Sequence, residues 1–217
     1  CPDLHVLVLS CDVCNSEPDE RLWQEIADEE KAVRETVKLE QINKWLPIQA
    51  TRQAYKRLGK DPNRYRPSSE ALRRRILREL PLYKVDTLVD LINLVSIRSG
   101  YSIGGFDADK IVGGSLVLGV GREGEIYHGI GRGELNIAGL PVYRDAVGGV
   151  GTPTSDEERT KIGPDTTRLL MIINAYSGLD GLESAGKYAA GLLSKYVSAT
   201  NIKAELVTAK DRAEIVL

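Results

Sequence analysis

Residues able to do chemistry are gathered at a few points of this chain. The bend Ser102–Asp109 sets Gly104 and Gly105 beside Phe106, Asp107 and Asp109. Glycine has no Cβ, so paired glycines let a ligand reach bare backbone N–H groups. A second loop, Gly148 to Lys161 (G-G-V-G-T-P-T-S-D-E-E-R-T-K), is rich in Gly, Thr and Ser. It is flexible enough to fold over a pocket and offers several donors, although a plain surface connection has the same composition. Basic residues form a third group: Arg64, Arg66, Arg73, Arg74, Arg75 and Arg78 stand against Glu70 alone within residues 64–78. They read either as a solvated, salt-bridged face or as a contact for RNA phosphates.

Other patterns promise less. Gly119, Gly121 and Gly124 spell G-x-G-x-x-G after an apolar run, but a dinucleotide site needs a helix next, and Glu125–Gly129 reads as a strand. The glycines are therefore read as a hairpin turn, and no nucleotide cofactor is expected. Cys11 and Cys14 form a C-x-x-C near Cys1 and His5, with no second pair to complete a zinc shell, so no metal is expected. With two histidines in the chain, His5 in a strand and His128 beyond the glycine turn, histidine-based chemistry is not expected.

The elements that hold these residues follow from periodicity. Leu4 to Cys14 reads as a buried strand. After it, the stripe Leu22, Trp23, Ile26, Val33, Val37 predicts a helix started near Ser16 and Asp19, running to about Trp45 and interrupted by Pro47. A shorter helix spans Ile48–Leu58, with Gly59 as its left-handed cap. Ser68 or Ser69 should cap a helix over Glu70–Glu79, and Asp86 the next, whose Leu88, Leu91, Ile92 and Val95 face a core. Beyond Ile111 the period changes to strands at Ser115–Val120, Glu125–Gly129, Leu140–Asp145 and Leu169–Ala175. A helix from Gly181 to Thr200 and strands Ile202–Val207 and Ala213–Val216, split by a Lys210–Arg212 turn, close the chain. The expected fold class is mixed α+β (α/β): a largely antiparallel sheet, a helical N-terminal half and a packed C-terminal helix, in a single domain over 1–217.

Composition is that of a globular protein, with 28% charged and 42% hydrophobic residues. A net charge of −2 makes the whole molecule no general polyanion binder, so any RNA contact must be local. Three cysteines make no disulfide framework. With no membrane-length apolar run and no leader pattern, the expected compartment is cytoplasmic.

Three segments in order, R-P-S-S-E-A-L-R-R-R-I (66–76), L-V-D-L-I-N (88–93) and S-I-G-G-F-D-A-D-K-I (102–111), resemble the tRNA-editing module of the phenylalanyl-tRNA synthetase beta subunit, its fused third and fourth domains. The resemblance covers about residues 50–200. It implies a mixed α/β fold, a tRNA partner (a mischarged aminoacyl-tRNA) and ester hydrolysis without a cofactor; aminoacylation is outside what such a module performs alone. The family's bend has a histidine where this chain has Gly104, which would widen the pocket and remove a polar group. The strand giving the family its glutamate corresponds to Leu169–Ala175, which has no carboxylate. The implied pocket comprises Gly104, Gly105, Phe106, Asp107, Gly148, Gly149, Thr152 and Ser155. Asn174, Thr154 and Arg159 are the candidate catalytic side chains, with backbone N–H groups to hold an oxyanion. Alternatives to hydrolysis in trans are a non-catalytic RNA- or protein-binding module and a pocket for a free amino acid.

Overall fold

The computed structural model describes Cys1, residues 3–208 and the backbone of Arg212–Ile215. The turn residues Lys210 and Asp211 and the end of the last expected strand, Val216, lie outside them.

Strand β1 (His5–Asp12) is the middle of a five-stranded sheet. Helices α1 (Glu20–Thr36), α2 (Leu46–Arg57), α3 (Ser68–Leu77) and α4 (Thr87–Ser99) follow before β2 (Ser102–Asp107). Then come the short strands β3 (Val117–Val120), β4 (His128–Gly129), β5 (Gly133–Glu134), β6 (Pro141–Arg144) and β7 (Gly149–Gly151). The long strand β8 (Arg168–Ala175), helix α5 (Leu182–Tyr196), β9 (Thr200–Thr208) and β10 (Arg212–Ile215) complete the chain. The large sheet runs β10-β9-β1-β8-β2, antiparallel throughout; β3-β6-β7 form a second sheet and β4-β5 a ribbon. The mixed α+β class with largely antiparallel sheets is the one expected.

Register decides which residues meet. Leu7 pairs with Ile173 and Leu9 with Met171, and alternation puts this set on one face. That face packs on α4 and α5 through Leu88, Leu91, Val95, Ala189 and Leu193, the main core. The opposite face carries Val6, Val8, Leu170, Ile172 and Val207, with Gly104 opposite Ile172 and Phe106 opposite Leu170. It packs against Tyr143 and Val150 of the small sheet.

Several boundaries differ from the expectation. α1 stops at Thr36, whose hydroxyl bonds back to Ala32 O at 2.6 Å, and Val37 is extended; Leu39–Lys44 is a 3₁₀ turn. Asp19, rather than Ser16, accepts the first N–H groups. Pro47 opens α2 instead of breaking a helix, because the first turn needs no N–H there. Gly59 has the expected positive φ, and Asp86 caps α4 through Val89 N at 2.8 Å. α3 begins after Pro67, so neither serine caps it; Ser69 reaches Ser102 at 3.3 Å. The Gly121–Gly124 turn joins no hairpin, since β3 pairs with β6 and β4 with β5. Gly121 instead lies against the Ile137 carbonyl, which a Cβ would approach to 1.9 Å. No helix among the described residues is long and apolar enough to cross a membrane.

Candidate functional site

The second face of the large sheet faces the small one, and the polar loop after β6 closes over its β2 edge. At that edge Gly104 and Gly151 both lie against the Phe106 ring. A Cβ on Gly104 would lie 2.8 Å from Cζ of Phe106, and one on Gly151 would lie 2.5 Å from the same atom. Phe106, fully buried, therefore sits in a slot between two glycines, one from β2 and one from β7. The expectation that Gly104 widens the pocket is corrected here: the ring two residues along its own strand fills the space.

One group at this slot escaped the sequence reading. Asp156 Oδ2 accepts the Gly105 N–H at 3.1 Å, on the strand edge facing away from β8. Its Oδ1 lies 3.4 Å from where a Gly104 Cβ would be and 3.0 Å from where a Gly151 Cβ would be. Burial pushes this carboxyl up to about 7, against the single backbone donor that lowers it. Nothing local distinguishes Asp156 from Glu157 and Glu158 beside it. Its surroundings come from β2, far off in sequence.

Each of the expected catalytic side chains is already engaged within the fold. Asn174 accepts from Tyr143 Oη at 2.6 Å and donates to Ser102 O at 3.1 Å, both buried. Thr154 Oγ1 lies 2.9 Å from Tyr55 Oη in the interior. Arg159 makes a two-pronged pair with Asp145, at 2.8 and 3.0 Å. Thr152 shapes its own turn, accepting from the N–H groups of Thr154 and Ser155. Ser155 Oγ donates to Asp156 O at 3.3 Å. Asp107 accepts from Thr166 at 2.9 Å and faces Lys110 at 3.2 Å. Gly148 donates its N–H to Asp145 at 3.1 Å, and Gly149 lies against the Tyr127 ring.

Beside this slot, on the same sheet face, a cleft of about 690 Å³ opens between the sheets. Its floor is Val6, Val8, Leu170, Ile172 and Val207, and its far wall includes Leu116, Leu118 and Tyr143. That volume is in the range of small-ligand sites. Ile172 and Tyr143 also pack on Phe106, so the cleft and the glycine slot share a wall.

The arginines divide sharply. Arg73 is buried: Nε donates to Ile97 O at 2.7 Å and the guanidinium stacks 3.7 Å from the Trp45 ring, with burial lowering it to about 10. Arg74 pairs with the fully buried Glu70 at 2.7 Å, which also holds Arg52 at 2.8 Å. Arg75 donates to Pro81 O at 2.5 Å and covers the Tyr83 ring. Arg64, Arg66 and Arg78 are exposed. Of the expected basic face, these three present their charge most openly to solvent.

Among the described residues no group of three or more His, Cys, Asp or Glu side chains is arranged to hold a metal. Cys11 is buried in the main core, and burial pushes its thiol up to about 11.

Comparison with known proteins agrees with this architecture. No curated protein matches. Among solved structures, an N-terminal fragment of the phenylalanyl-tRNA synthetase beta subunit from Pyrococcus horikoshii is similar at a TM-score of 0.50 and 16% identity, over 60% of this chain and 45% of that one. At that identity the likeness is one of fold, and this chain spans less than half the length of the fragment. The family model described as the B3/4 domain matches residues 50–198, which takes in most of α2, all of α3 through α5 and both sides of the glycine slot. The chain belongs to the B3/4 domain family.

Proposed function

We propose that this protein binds tRNA and removes a wrongly attached amino acid from it in trans, with residues 1–217 acting as one unit. The observation that carries the reading is the cleft of about 690 Å³ between the two sheets, which shares a wall with the Phe106 slot. A cleft of that size, floored by Val6, Val8, Leu170 and Ile172, has room for the amino-acid side chain of an aminoacyl ester. Arg64, Arg66 and Arg78 would contribute phosphate contacts, while Arg73 belongs to the interior. Membership of the B3/4 family supports an RNA partner in general.

A second reading has its own observation. Asn174, Thr154 and Arg159 are all engaged by bonds within the fold, which favours a module that binds RNA without hydrolysing the ester.

Both are tested by incubating the protein with a panel of mischarged tRNAs and following ester loss, alongside filter binding across a salt series. Editing requires turnover on at least one species. Binding without turnover on any species leaves the second reading. For either, affinity should fall steeply with salt, and replacing Arg64, Arg66 and Arg78 together by Ala should lower the slope by up to about 3. No binding at low salt would sink both.

A further inference from the structure

The cleft between the sheets carries a charge pattern of its own. Register sets its floor: Val8 lies across from Ile172 on one side and Glu205 on the other, and Val6 across from Val207. Alternation along β9 turns Ala204 and Leu206 to the main core and Glu205 and Val207 to the cleft. Glu205 is half-buried there. Among the described residues it is the one carboxylate in the lining, and no lysine, arginine or histidine side chain joins it. Tyr143, on the far wall, has its hydroxyl committed to Asn174 at 2.6 Å. Strands β1 and β9 lie outside residues 50–198, so the Glu205 side of the cleft is built from residues beyond the family match. An aliphatic cleft with a carboxylate in its wall discriminates by charge. It attracts an ammonium and repels a second anion.

We propose that this cleft selects apolar amino acids still attached as esters, holding the side chain on its aliphatic floor and the free α-ammonium against the Glu205 carboxylate. The inference rests on the editing reading above and names its substrate class. A free amino acid carries a carboxylate as well as an ammonium; an aminoacyl ester carries the ammonium alone. With no cationic side chain in the lining, the free acid brings an uncompensated anion close to Glu205. The cleft therefore favours the ester over the product of its hydrolysis, which helps the product leave. An aminoacyl group acylated on nitrogen has no ammonium and forfeits the contact with Glu205. A polar side chain loses water against Val8, Ile172 and Val207 and finds little there to replace it.

An amide keeps the uncharged carbonyl and free ammonium of the ester but resists hydrolysis, so binding can be read apart from turnover. The test titrates L-leucinamide into the full chain by calorimetry at pH 7, beside N-acetyl-L-leucinamide, free L-leucine and L-serinamide. Leucinamide should bind about tenfold or more tighter than each of the others, and should shift the methyl resonances of Val8, Ile172 and Val207. Glu205→Gln keeps the size of the side chain and should weaken leucinamide about tenfold while leaving N-acetyl-leucinamide unchanged. Equal binding of all four probes, or a Gln variant that keeps the wild-type preference, overturns the proposal. Should the variant fail to fold, the wild-type ranking of leucinamide against its N-acetyl form decides alone. Leucinamide that leaves those methyl resonances unmoved also overturns it, while turnover on the mischarged tRNA panel would leave editing standing. The expected ranking in a protein inert on every mischarged tRNA upholds the selection by Glu205 and overturns the editing reading.

Discussion

Asp145 and Asp156 flank the same strand, β7, and have opposite surroundings. Asp145 has a fully buried side chain saturated with partners: both prongs of Arg159 and the N–H groups of Val112, Val147 and Gly148. Burial alone would raise its carboxyl, but these donors hold it well below the usual carboxylate range. Asp156 has one donor and no cation, so burial wins and the carboxyl rises to about 7. The difference teaches that burial and donor supply act together: Asp145 has a cation and three N–H groups to offset its desolvation, while the more deeply desolvated Asp156 has a single donor. A saturated anion fixes a loop. An under-supplied one is left with a proton to exchange.

The largest effect should come from breaking the saturated side. Asp145→Ala leaves three N–H groups and a half-buried guanidinium without their acceptor, and we expect a loss of about 2–4 kcal/mol by urea unfolding at pH 7. The sign with pH follows from the depressed carboxyl. Its stabilisation is complete above the unfolded value near 3.8 and is lost as pH falls through the lower folded value. The gap between wild type and variant should therefore begin to narrow only as pH falls below about 3.8 and go on narrowing through the most acid conditions measured. A gap that persists undiminished into acid would show that the anion is not what holds the loop.

Much of the frame was legible in the sequence, because it depends on local signals. The α4 stripe, its Asp86 cap and the Gly59 turn are set by neighbours within a turn or two of helix, and they stand where periodicity puts them. The family resemblance rested on segments that the B3/4 match also spans. What was not legible depends on pairing over distance. Arg73 looks like its neighbours Arg74 and Arg75 until Trp45 and the Ile97 carbonyl are set against it. Gly104 looked like a vacancy because its filler, Phe106, reads along the strand as an ordinary core residue. Asp156 sat in a run of acids that composition marks as solvated, and only the edge of β2 singles it out.

The opposite side of the comparison should respond with the opposite sign. Asp156→Asn removes a carboxyl whose folded value lies about 3 units above its unfolded one, a ceiling of roughly 4 kcal/mol at 1.4 per unit. Partial exposure brings the expected gain to roughly 2 kcal/mol at pH 8. A raised carboxyl stabilises most below pH 3.8 and least above about 7, so the variant should gain over wild type as pH rises through that window. Paired melting curves at pH 4 and pH 8 measure it. Equal differences at both would mean that Asp156 titrates like an exposed acid, and the contrast with Asp145 would lose its basis.

Gly104→Ala sharpens the contrast further, because it disturbs the Asp156 slot while leaving the Asp145 loop untouched. The added methyl would stand 2.8 Å from Phe106 Cζ, inside contact distance, and 3.4 Å from Asp156 Oδ1, at ordinary contact. The ring cannot retreat towards β7, where Gly151 already gives it the room of a missing side chain. We expect a loss of about 1–2 kcal/mol from overpacking, read as a lowered urea midpoint. Gly105→Ala meets a different neighbour, Ile92 Cδ1 at 2.7 Å, on the helix side of the strand. Both substitutions overpack, but only the one at Gly104 should also alter the titration of Asp156, since its methyl takes solvent from Oδ1. A carbon-detected titration of the Asp156 carboxyl, moved upward by Gly104→Ala and unmoved by Gly105→Ala, would tie the elevated carboxyl to the glycine slot. Equal movement in both would assign it to the packing of β2 as a whole.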